Sequence, residues 1–279
     1  MARENQKKRT GRRIALAALG VGLACVLFHV VHAYTFDKTI EYKEVSLFSP
    51  DVPQEMDGYR IAFVSDTHSM PLEHLEQVVE EINNRQVDLL VLGGDFPSGS
   101  GALRQSMAIL SKVEARDGVF GVEGNHDRPM SLFAAMEEYS ITPLSNNGLY
   151  IREHFYLAGT KDLWSRSASI AEATDTTTTE DFVLLLSHNP DITMQQDTSG
   201  VDLILSGHTH GGQLTFLGLW APLFTFDSSI TDYGQRFRSG WALSRDGIPV
   251  YVSNGTGEYL PRVFSRPQVI LITLHHEDI

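Results

Sequence analysis

Residues 207–210 read Gly-His-Thr-His and follow the mostly apolar run 201–205 after a single serine. Two imidazoles two positions apart, on residues that leave a buried strand, can point into one crevice at the sheet edge, where open α/β sheets bind ligands. Neutral imidazole is the commonest metal ligand in proteins. The spacing of His208 and His210 therefore predicts a metal site, although an exposed loop can carry two histidines without such a role.

The same arrangement occurs four more times upstream. Short apolar runs rich in β-forming residues indicate strands that are buried on both faces, and each of these runs ends in a residue with a hard oxygen or an imidazole. The four segments read Asp-Thr-His at 66–68, Gly-Gly-Asp at 93–95, Gly-Asn-His-Asp at 124–127 and Ser-His at 187–188. One such polar residue could be an ordinary turn residue, but five of them favour a shared site.

In their order, these motifs resemble the calcineurin-like metallophosphoesterase superfamily. The resemblance covers roughly residues 59–274. The stretch 205–213, together with the closing residues 255–257, Pro261-Arg262 and Pro267, is similar to a bacterial membrane-associated branch of small phosphoesterases. The resemblance implies an α/β fold, a four-layer α/β/β/α sandwich, and hydrolysis of phosphoester bonds.

The resemblance also implies a role for each polar residue. By motif position, a first metal ion would be bound by Asp66, His68, Asp95 and His210. A second metal ion would be bound by Asp95, Asn125, His188 and His208. Asp95 would bridge the two ions, because a carboxylate presents two anionic oxygens to two cations. Mixed nitrogen and oxygen ligands without thiolate suit manganese, iron or zinc, and the sequence leaves the choice among these open.

Two metal ions about 3.5–4 Å apart lower the pKa of a bridging water, whose hydroxide attacks phosphorus, and they neutralise the developing charge. His126 follows a ligand position and is expected to point over the metal pair without binding either ion. We predict that it is catalytic and donates a proton to the leaving oxygen or stabilises the phosphoryl charge. A structural role in the loop is the alternative. Asp127 is expected to orient this loop or accept a hydrogen bond.

One departure from the superfamily narrows the substrate. Members that act on phosphoproteins read Gly-Asp-x-x-Asp-Arg-Gly after the second strand, which supplies an Asp that supports the catalytic His and an Arg for phosphate. Residues 94–100 read Gly-Asp-Phe-Pro-Ser-Gly-Ser. A phosphoprotein substrate is therefore not expected, and the partner of His126 is left open. Arg262 is either a substrate contact or a structural residue.

The segment 214–241 is rich in aromatic residues. These are Phe216, Trp220, Phe224, Phe226, Tyr233, Phe237 and Trp241. Such a density is typical of a core or a strand face. The alternative is an apolar wall near the metal ions or a membrane-facing lip for a lipid substrate, where Gly211 and Gly212 would allow close backbone approach.

Residues 14–33 are 20 residues without a formal charge, and they follow six bases within residues 1–13. At ~1.5 Å per residue this run is about 30 Å long, which matches the hydrocarbon core of a bilayer. We predict a basic cytoplasmic tail at 1–13 and a transmembrane signal anchor at 14–33; a cleaved signal peptide is the alternative. The bases place the catalytic domain on the extracytoplasmic side of the cell membrane.

Residues 34–58 are expected to form a juxtamembrane stalk with an edge strand near 40–47, and residues 59–279 a single catalytic domain. Alternating strands and helices indicate the α/β class. The predicted helices are 72–82, 103–113 and 131–139, and the later strands lie near 149–151, 156–158, 213–216, 250–253 and 269–274.

Beyond residue 13 the chain carries 16 of its 22 bases and 34 of its 35 acids. So acidic a body argues against a general nucleic-acid binder, which would show a basic stripe. Cys25 is the only cysteine, so no intrachain disulfide can form.

These features together predict a membrane-tethered, dimetal-dependent phosphodiesterase or phosphomonoesterase with a phosphoester substrate. One alternative is a hydrolase of lipid-linked pyrophosphates of the UDP-diacylglucosamine type. The other is a non-catalytic metal-dependent binding protein of the same fold. The sequence leaves the oligomeric state open.

Overall fold

Twelve β-strands and seven α-helices lie in the parts of the chain that the computed structural model describes, residues 2–226, 230–257 and 261–278. The strands are β1 Glu41–Ser49, β2 Arg60–Val64, β3 Leu89–Leu92, β4 Val119–Gly121, β5 Thr142–Pro143, β6 Asn147–Arg152, β7 Phe155–Gly159, β8 Phe182–Leu186, β9 Leu203–Ser206, β10 Gly240–Leu243, β11 Pro249–Val252 and β12 Gln268–His276. The helices are α1 Ala2–Thr35, α2 Leu72–Asn84, α3 Ser100–Leu110, α4 Pro129–Glu138, α5 Ile170–Ala173, α6 Ile192–Gln195 and α7 Leu223–Phe226.

The strands form two six-stranded sheets, with the orders β1-β12-β2-β3-β4-β5 and β10-β11-β9-β8-β7-β6. Strands β2 to β5 are parallel in the first sheet, and β7, β8, β9 and β11 are parallel in the second. Parallel strands end at the same edge of a sheet. The motif residues that follow β2, β3, β4, β8 and β9 are therefore brought to one side of the molecule.

Alternation of side chains along each strand builds the layers. In β2, Ile61 and Phe63 pack between the two sheets, whereas Ala62 and Val64 pack against the cluster that includes α2, α3 and α4. On the outer face of the second sheet, Val183 belongs to a third cluster, which also contains residues of α5 and α6. This arrangement confirms the predicted α/β/β/α sandwich.

Most predicted elements are present, with shifted ends. The second and third helices begin three and two residues before their predicted starts, at Ser100 and Pro129. The predicted strand at 213–216 is wrong, because among the described residues this segment makes only isolated bridges, to Val263 and Trp220. Positive φ angles of 55° at Gln213 and 52° at Leu217 interrupt the extended backbone that a strand requires.

Helix α1 contains the whole predicted membrane segment. Within its span Arg9–Thr35, the most apolar stretch of 18 residues has a mean hydropathy of 2.5, and no residue of that stretch is buried in the protein. The helix is therefore long and apolar enough to cross a membrane. It extends two residues into the predicted stalk, and β1, the predicted edge strand, follows it.

Candidate metal centre

All seven predicted metal ligands lie together where five strands end. Asp66 and His68 follow β2, Asp95 follows β3, Asn125 follows β4, His188 follows β8, and His208 and His210 follow β9. Five of them are buried, namely Asp66, His68, Asp95, His188 and His208, while Asn125 and His210 are partly buried. Charged and polar side chains are rarely this buried unless they are paired or coordinate metals.

Three of these residues, Asp66, His68 and His210, form a first group that could hold a metal ion. The Nε2 atoms of His68 and His210 are 3.1 Å apart. Oδ1 of Asp66 lies 3.7 Å from Nε2 of His210. Oδ2 of Asp95 approaches the same group, at 3.7 Å from Nε2 of His68.

A second group centres on His188. Its Nε2 atom lies 3.3 Å from Oδ2 of Asp95 and 3.1 Å from Oδ1 of Asn125. Oδ1 of Asn125 is also 2.8 Å from Nδ1 of His208. Asp95 thus reaches histidines of both groups through one oxygen, as a bridging ligand would. Asp66 also lies between them, with its Oδ1 4.0 Å from Nε2 of His188.

The hydrogen bonds of His188 and His208 fit metal ligation. Nδ1 of His188 donates to the carbonyl of Gly93 at 2.7 Å, since a carbonyl can only accept. In the neutral ring the lone pair then lies on Nε2, which faces the acceptor oxygens of Asp95 and Asn125. Nε2 of His208 donates to the carbonyl of Ile230 at 2.8 Å and leaves its lone pair on Nδ1. Such a convergence of acceptors suits a cation, and carbonyl-anchored imidazoles are typical of metal sites.

The pKa values of the site residues also fit metal binding. Burial lowers the pKa of His68 to about 4 and that of His208 to about 3, so both rings are neutral, as metal ligands must be. Burial raises the pKa of Asp66 to about 6, against the opposing effect of His188. Burial alone would lower the pKa of His188, but the carboxylate of Asp95 raises it well above its usual value. This place between the carboxylates therefore favours positive charge.

The ligand loops have an unusual backbone. Five ligand residues adopt positive φ, and these are Asp66, His68, Asp95, His208 and His210. Non-glycine residues in this region cluster at functional sites, where the surrounding structure holds the strain. A side chain at Gly124 would overlap Oδ1 of Asp95, and one at Gly207 would overlap Oδ2 of Asp66. The glycines of both motifs are thus required by the close approach of a ligand carboxylate.

Asp127 accepts hydrogen bonds, as predicted. Its Oδ2 accepts from the amides of Asp95 at 2.7 Å and Gly124 at 2.8 Å, and its Oδ1 accepts from the amide of Phe96 at 2.9 Å. It therefore ties the loop after β3 to the loop after β4.

Arg262 has the structural role rather than a substrate contact. It is fully buried, and its guanidinium donates to the carbonyls of Asn254, Ser265 and Gly257. It also lies 3.3 Å from Nδ1 of His210, so it supports the loop that carries this ligand.

His126 is exposed at the mouth of the site. Its ring centroid lies 5.6 Å from that of His68, and its amide donates to Oδ1 of Asp95 at 2.8 Å. The imidazole lines a cavity of about 300 Å³ together with Asp95, Asn125, His208 and His210. The imidazole therefore lies beside the predicted ligands and is open to the cavity.

Several residues around this cavity belong to no motif and were missed. Trp164 lines it and contacts the ring of His208 edge to face, at 5.5 Å between centroids. Leu223, Phe224 and Ile230 form an apolar part of its wall. Only the aromatic density of the segment 214–241 signalled any of them.

Some aromatic residues of the segment 214–241 belong to the core, and others are exposed. Phe224 and Phe237 are buried, as core residues would be, whereas Phe216, Trp220 and Trp241 are exposed. Tyr233 is partly buried, and the side chain of Phe226 lies outside the described residues.

A family model described as calcineurin-like phosphoesterase matches residues 59–212. The chain therefore belongs to this family, and the predicted enzyme class, a hydrolase that acts on phosphoesters, is confirmed. The roles of the individual site residues remain predictions.

Three relatives agree with this assignment. The chain is 27% identical, over 94% of its length, to a transmembrane protein with metallophosphoesterase domain from Danio rerio, of which it spans 63%. It is 28% identical to the uncharacterized metallophosphoesterase YkuE of Bacillus subtilis, over 84% of this chain and 85% of that protein. It is 28% identical to the phosphodiesterase YaeI of Escherichia coli, over 77% and 82%.

Proposed function

We propose that the chain hydrolyses phosphoesters with two divalent metal ions. Asp66, His68, Asp95 and His210 would hold the first ion, and Asp95, Asn125, His188 and His208 the second. Ions bound there would activate water and neutralise charge on the phosphoryl group. The observation that carries the proposal is the convergence of seven ligand-type side chains, with Oδ2 of Asp95 within 3.3–3.7 Å of histidines from both groups. The phosphodiesterase activity named for YaeI supports a diester as substrate.

The residues of the chain supply orientation and the proton. The carbonyls of Gly93 and Ile230 fix the ring tautomers of His188 and His208. Asp127 holds the backbone around Asp95. The exposed imidazole of His126 faces the cavity and is placed to hold a proton for the leaving oxygen or to contact the phosphoryl group.

The test is hydrolysis by the metal-stripped full-length protein in detergent. Manganese, iron(II) or zinc is added back, and turnover is measured on bis(nitrophenyl) phosphate and on nitrophenyl phosphate. We expect turnover with at least one metal, and elemental analysis should give two ions per chain. Bound metal without turnover on either ester would favour the non-catalytic binding protein. A stoichiometry of one or below in the folded protein would contradict the two-metal site.

A second candidate is hydrolysis of a lipid-linked pyrophosphate. It is favoured by the apolar wall of the cavity, where Leu223, Phe224 and Ile230 lie beside the metal-site histidines. A lipid-linked sugar nucleotide of the UDP-diacylglucosamine type should then be hydrolysed at a higher kcat/KM than either nitrophenyl ester. An equal or lower kcat/KM for the lipid would leave the simple ester as the better candidate.

We also propose that α1 anchors the chain in the cell membrane with the catalytic domain outside. The uncharged span and the six preceding bases support this orientation. In a Cys25→Ala background, Glu277→Cys should react with an impermeant maleimide on intact cells. Gln6→Cys should react only after permeabilisation. The reverse pattern would invert the orientation, and recovery of a chain lacking α1 would favour a cleaved signal peptide.

A further inference from the structure

An uncharged surface loop lies beside the metal site. Residues 214–226 contain no charged side chain, yet Leu219 is 77% exposed, Phe216 50% and Trp220 43%. Leu217 and Leu223 are exposed as well. Contiguous exposed apolar patches on soluble domains mark interaction sites. We refer to residues 216–223 as the apolar lip.

The lip contacts the outer end of α1. The rings of His29 and Phe216 stack with centroids 5.3 Å apart. The neighbouring Phe264 stacks on His32 at 3.7 Å and contacts Phe28 at 5.6 Å. Asp37 fixes this junction, because its Oδ2 accepts from the amide of Phe264 at 2.8 Å and pairs with Nδ1 of His32 at 2.9 Å.

These contacts set the depth of the lip. The predicted membrane segment ends at Ala33 and the candidate membrane-spanning helix at Thr35, so His29 lies four to six residues before the end of the segment. At ~1.5 Å per residue, Phe216 touches the helix about 6–9 Å below that end. Apolar faces that bind at the bilayer interface insert to about 5–10 Å.

The lip is also continuous with the metal site. It follows His210 closely in sequence, and Leu223 at its end lines the cavity that His126 and His208 share. Ser265, next to Phe264, donates to the carbonyl of His210 at 2.5 Å. Whatever surface the lip contacts therefore lies beside the mouth of the cavity.

We propose that the apolar lip inserts into the lipid bilayer that α1 crosses, so that the metal site opens at the membrane surface. This rests on the proposed anchoring by α1. The occupant is the bilayer rather than a second copy of the chain, because the contacts with α1 already hold the lip at bilayer depth. Trp220 and Phe216 suit the interface, where aromatic rings accumulate in membrane proteins.

Trp220 and Trp241 provide a matched pair for the test, because they are 43% and 44% exposed and Trp241 lies on the edge strand β10. Full-length protein retaining one of the two, with the other and Trp164 changed to Phe, is reconstituted in phosphatidylcholine vesicles. Acyl-brominated lipid should quench Trp220 severalfold more than Trp241, and aqueous iodide should quench Trp241 more. Equal quenching of the two by brominated lipid would overturn the proposal.

Other occupants give other patterns. Quenching of Trp220 by iodide alone would mean a solvated lip, and protection from both quenchers would mean a protein partner such as a second copy; either result overturns the proposal. Protein that does not float with the vesicles would refute the anchor, and the lip with it. Floating protein with unquenched Trp220 would refute the lip alone.

A second measurement avoids changes at tryptophan. Nitroxides are attached at Leu219→Cys or Leu243→Cys in the Cys25→Ala background, at leucines that are 77% and 53% exposed. Leu243 pairs with Pro249 at the end of β10 remote from the metal site. The label at 219 should be more accessible to oxygen than to a polar nickel complex, and the label at 243 the reverse. Equal accessibility of the two labels to oxygen and to the nickel complex would contradict insertion of the lip.

Discussion

The metal-site edge and the apolar lip are neighbours, and they invert the usual distribution of side chains in opposite ways. At the edge the chain buries ionisable groups, since Asp66 and His188 have no exposed surface. At the lip it exposes apolar groups, since Leu219 is 77% exposed. Buried polar groups and exposed apolar patches are the informative departures from ordinary burial.

The buried ionisable groups and the exposed apolar groups would be stabilised by different partners. The buried acceptors of Asp95 and Asn125 converge on Nε2 of His188, where they would also stabilise a bound cation. Exposed apolar side chains such as those of the lip cannot be satisfied by an ion. In the proposed arrangement they enter the bilayer that α1 crosses. Asp37 ties the segment around Phe264 to α1, and Ser265 ties the same segment to the loop of His210.

The largest expected effect is at the edge. Asp95→Asn removes the carboxylate that reaches both groups of histidines, so turnover and metal content should both be lost. Asp202→Asn is the matched control, because Asp202 precedes β9 at the end opposite His208. Its turnover should stay near that of the wild type. Comparable turnover and metal content in the two variants would refute the ligand assignment.

His126→Ala should separate metal binding from proton transfer. It removes no assigned ligand, so metal content should persist while turnover falls about 10²–10⁴-fold, the usual range for a positioned acid or base. Esters of simple alcohols should lose more rate than nitrophenyl esters, because nitrophenolate leaves without protonation. His74→Ala, on α2 and outside every motif, is the control.

The outcomes for His126 assign its role. An equal loss on all substrates would make the imidazole a charge stabiliser rather than the acid. Loss of metal would make it a ligand, and an unchanged rate would leave it a structural loop residue.

The junction of α1 with the body should respond to Asp37→Ala. This change leaves the amide of Phe264 without its acceptor in a partly buried position, which costs about 1–3 kcal/mol of stability. The thermal midpoint of the full chain in detergent should fall accordingly. Asp57→Ala, at a side chain that is 57% exposed, should change it little. Equal midpoints for the two variants would show that the contact of α1 with the body is not stabilising.

The smallest expected effect concerns Asp202, a partly buried acid outside the metal site. Burial raises the pKa of Asp202 to about 6, and the side chain accepts from the amide of Val183 at 2.7 Å. The folded state therefore holds this proton more tightly than the unfolded state, and its stabilising effect is lost as the pH rises from about 4 through 6. Because Asp202 is only partly buried, the wild type should lose about 1–2 kcal/mol relative to Asp202→Asn between pH 4 and 7. An identical pH dependence of the two unfolding curves would contradict this.

The strands and the order of the site residues were predictable because their signals are local. A buried strand such as β8 is a continuous apolar run, and a polar residue that follows it is visible in the sequence. The strand predicted at 213–216 failed for the converse reason. Its apolar alternation resembles a strand, but positive φ at Gln213 and pairing limited to isolated bridges, in the part of the chain that the structure describes, are properties of the folded backbone.

The sequence by itself determined the ligand types, their order along the chain and the membrane-length helix, because each depends on residue chemistry and local periodicity. Only the tertiary structure decided that Asp95 lies between both groups of histidines, and that the carbonyls of Gly93 and Ile230 hold two of the rings. It also decided that Phe224 is buried and Trp220 exposed, although both belong to one aromatic segment. A local pattern records that a side chain is apolar, whereas burial depends on what the rest of the chain packs against it.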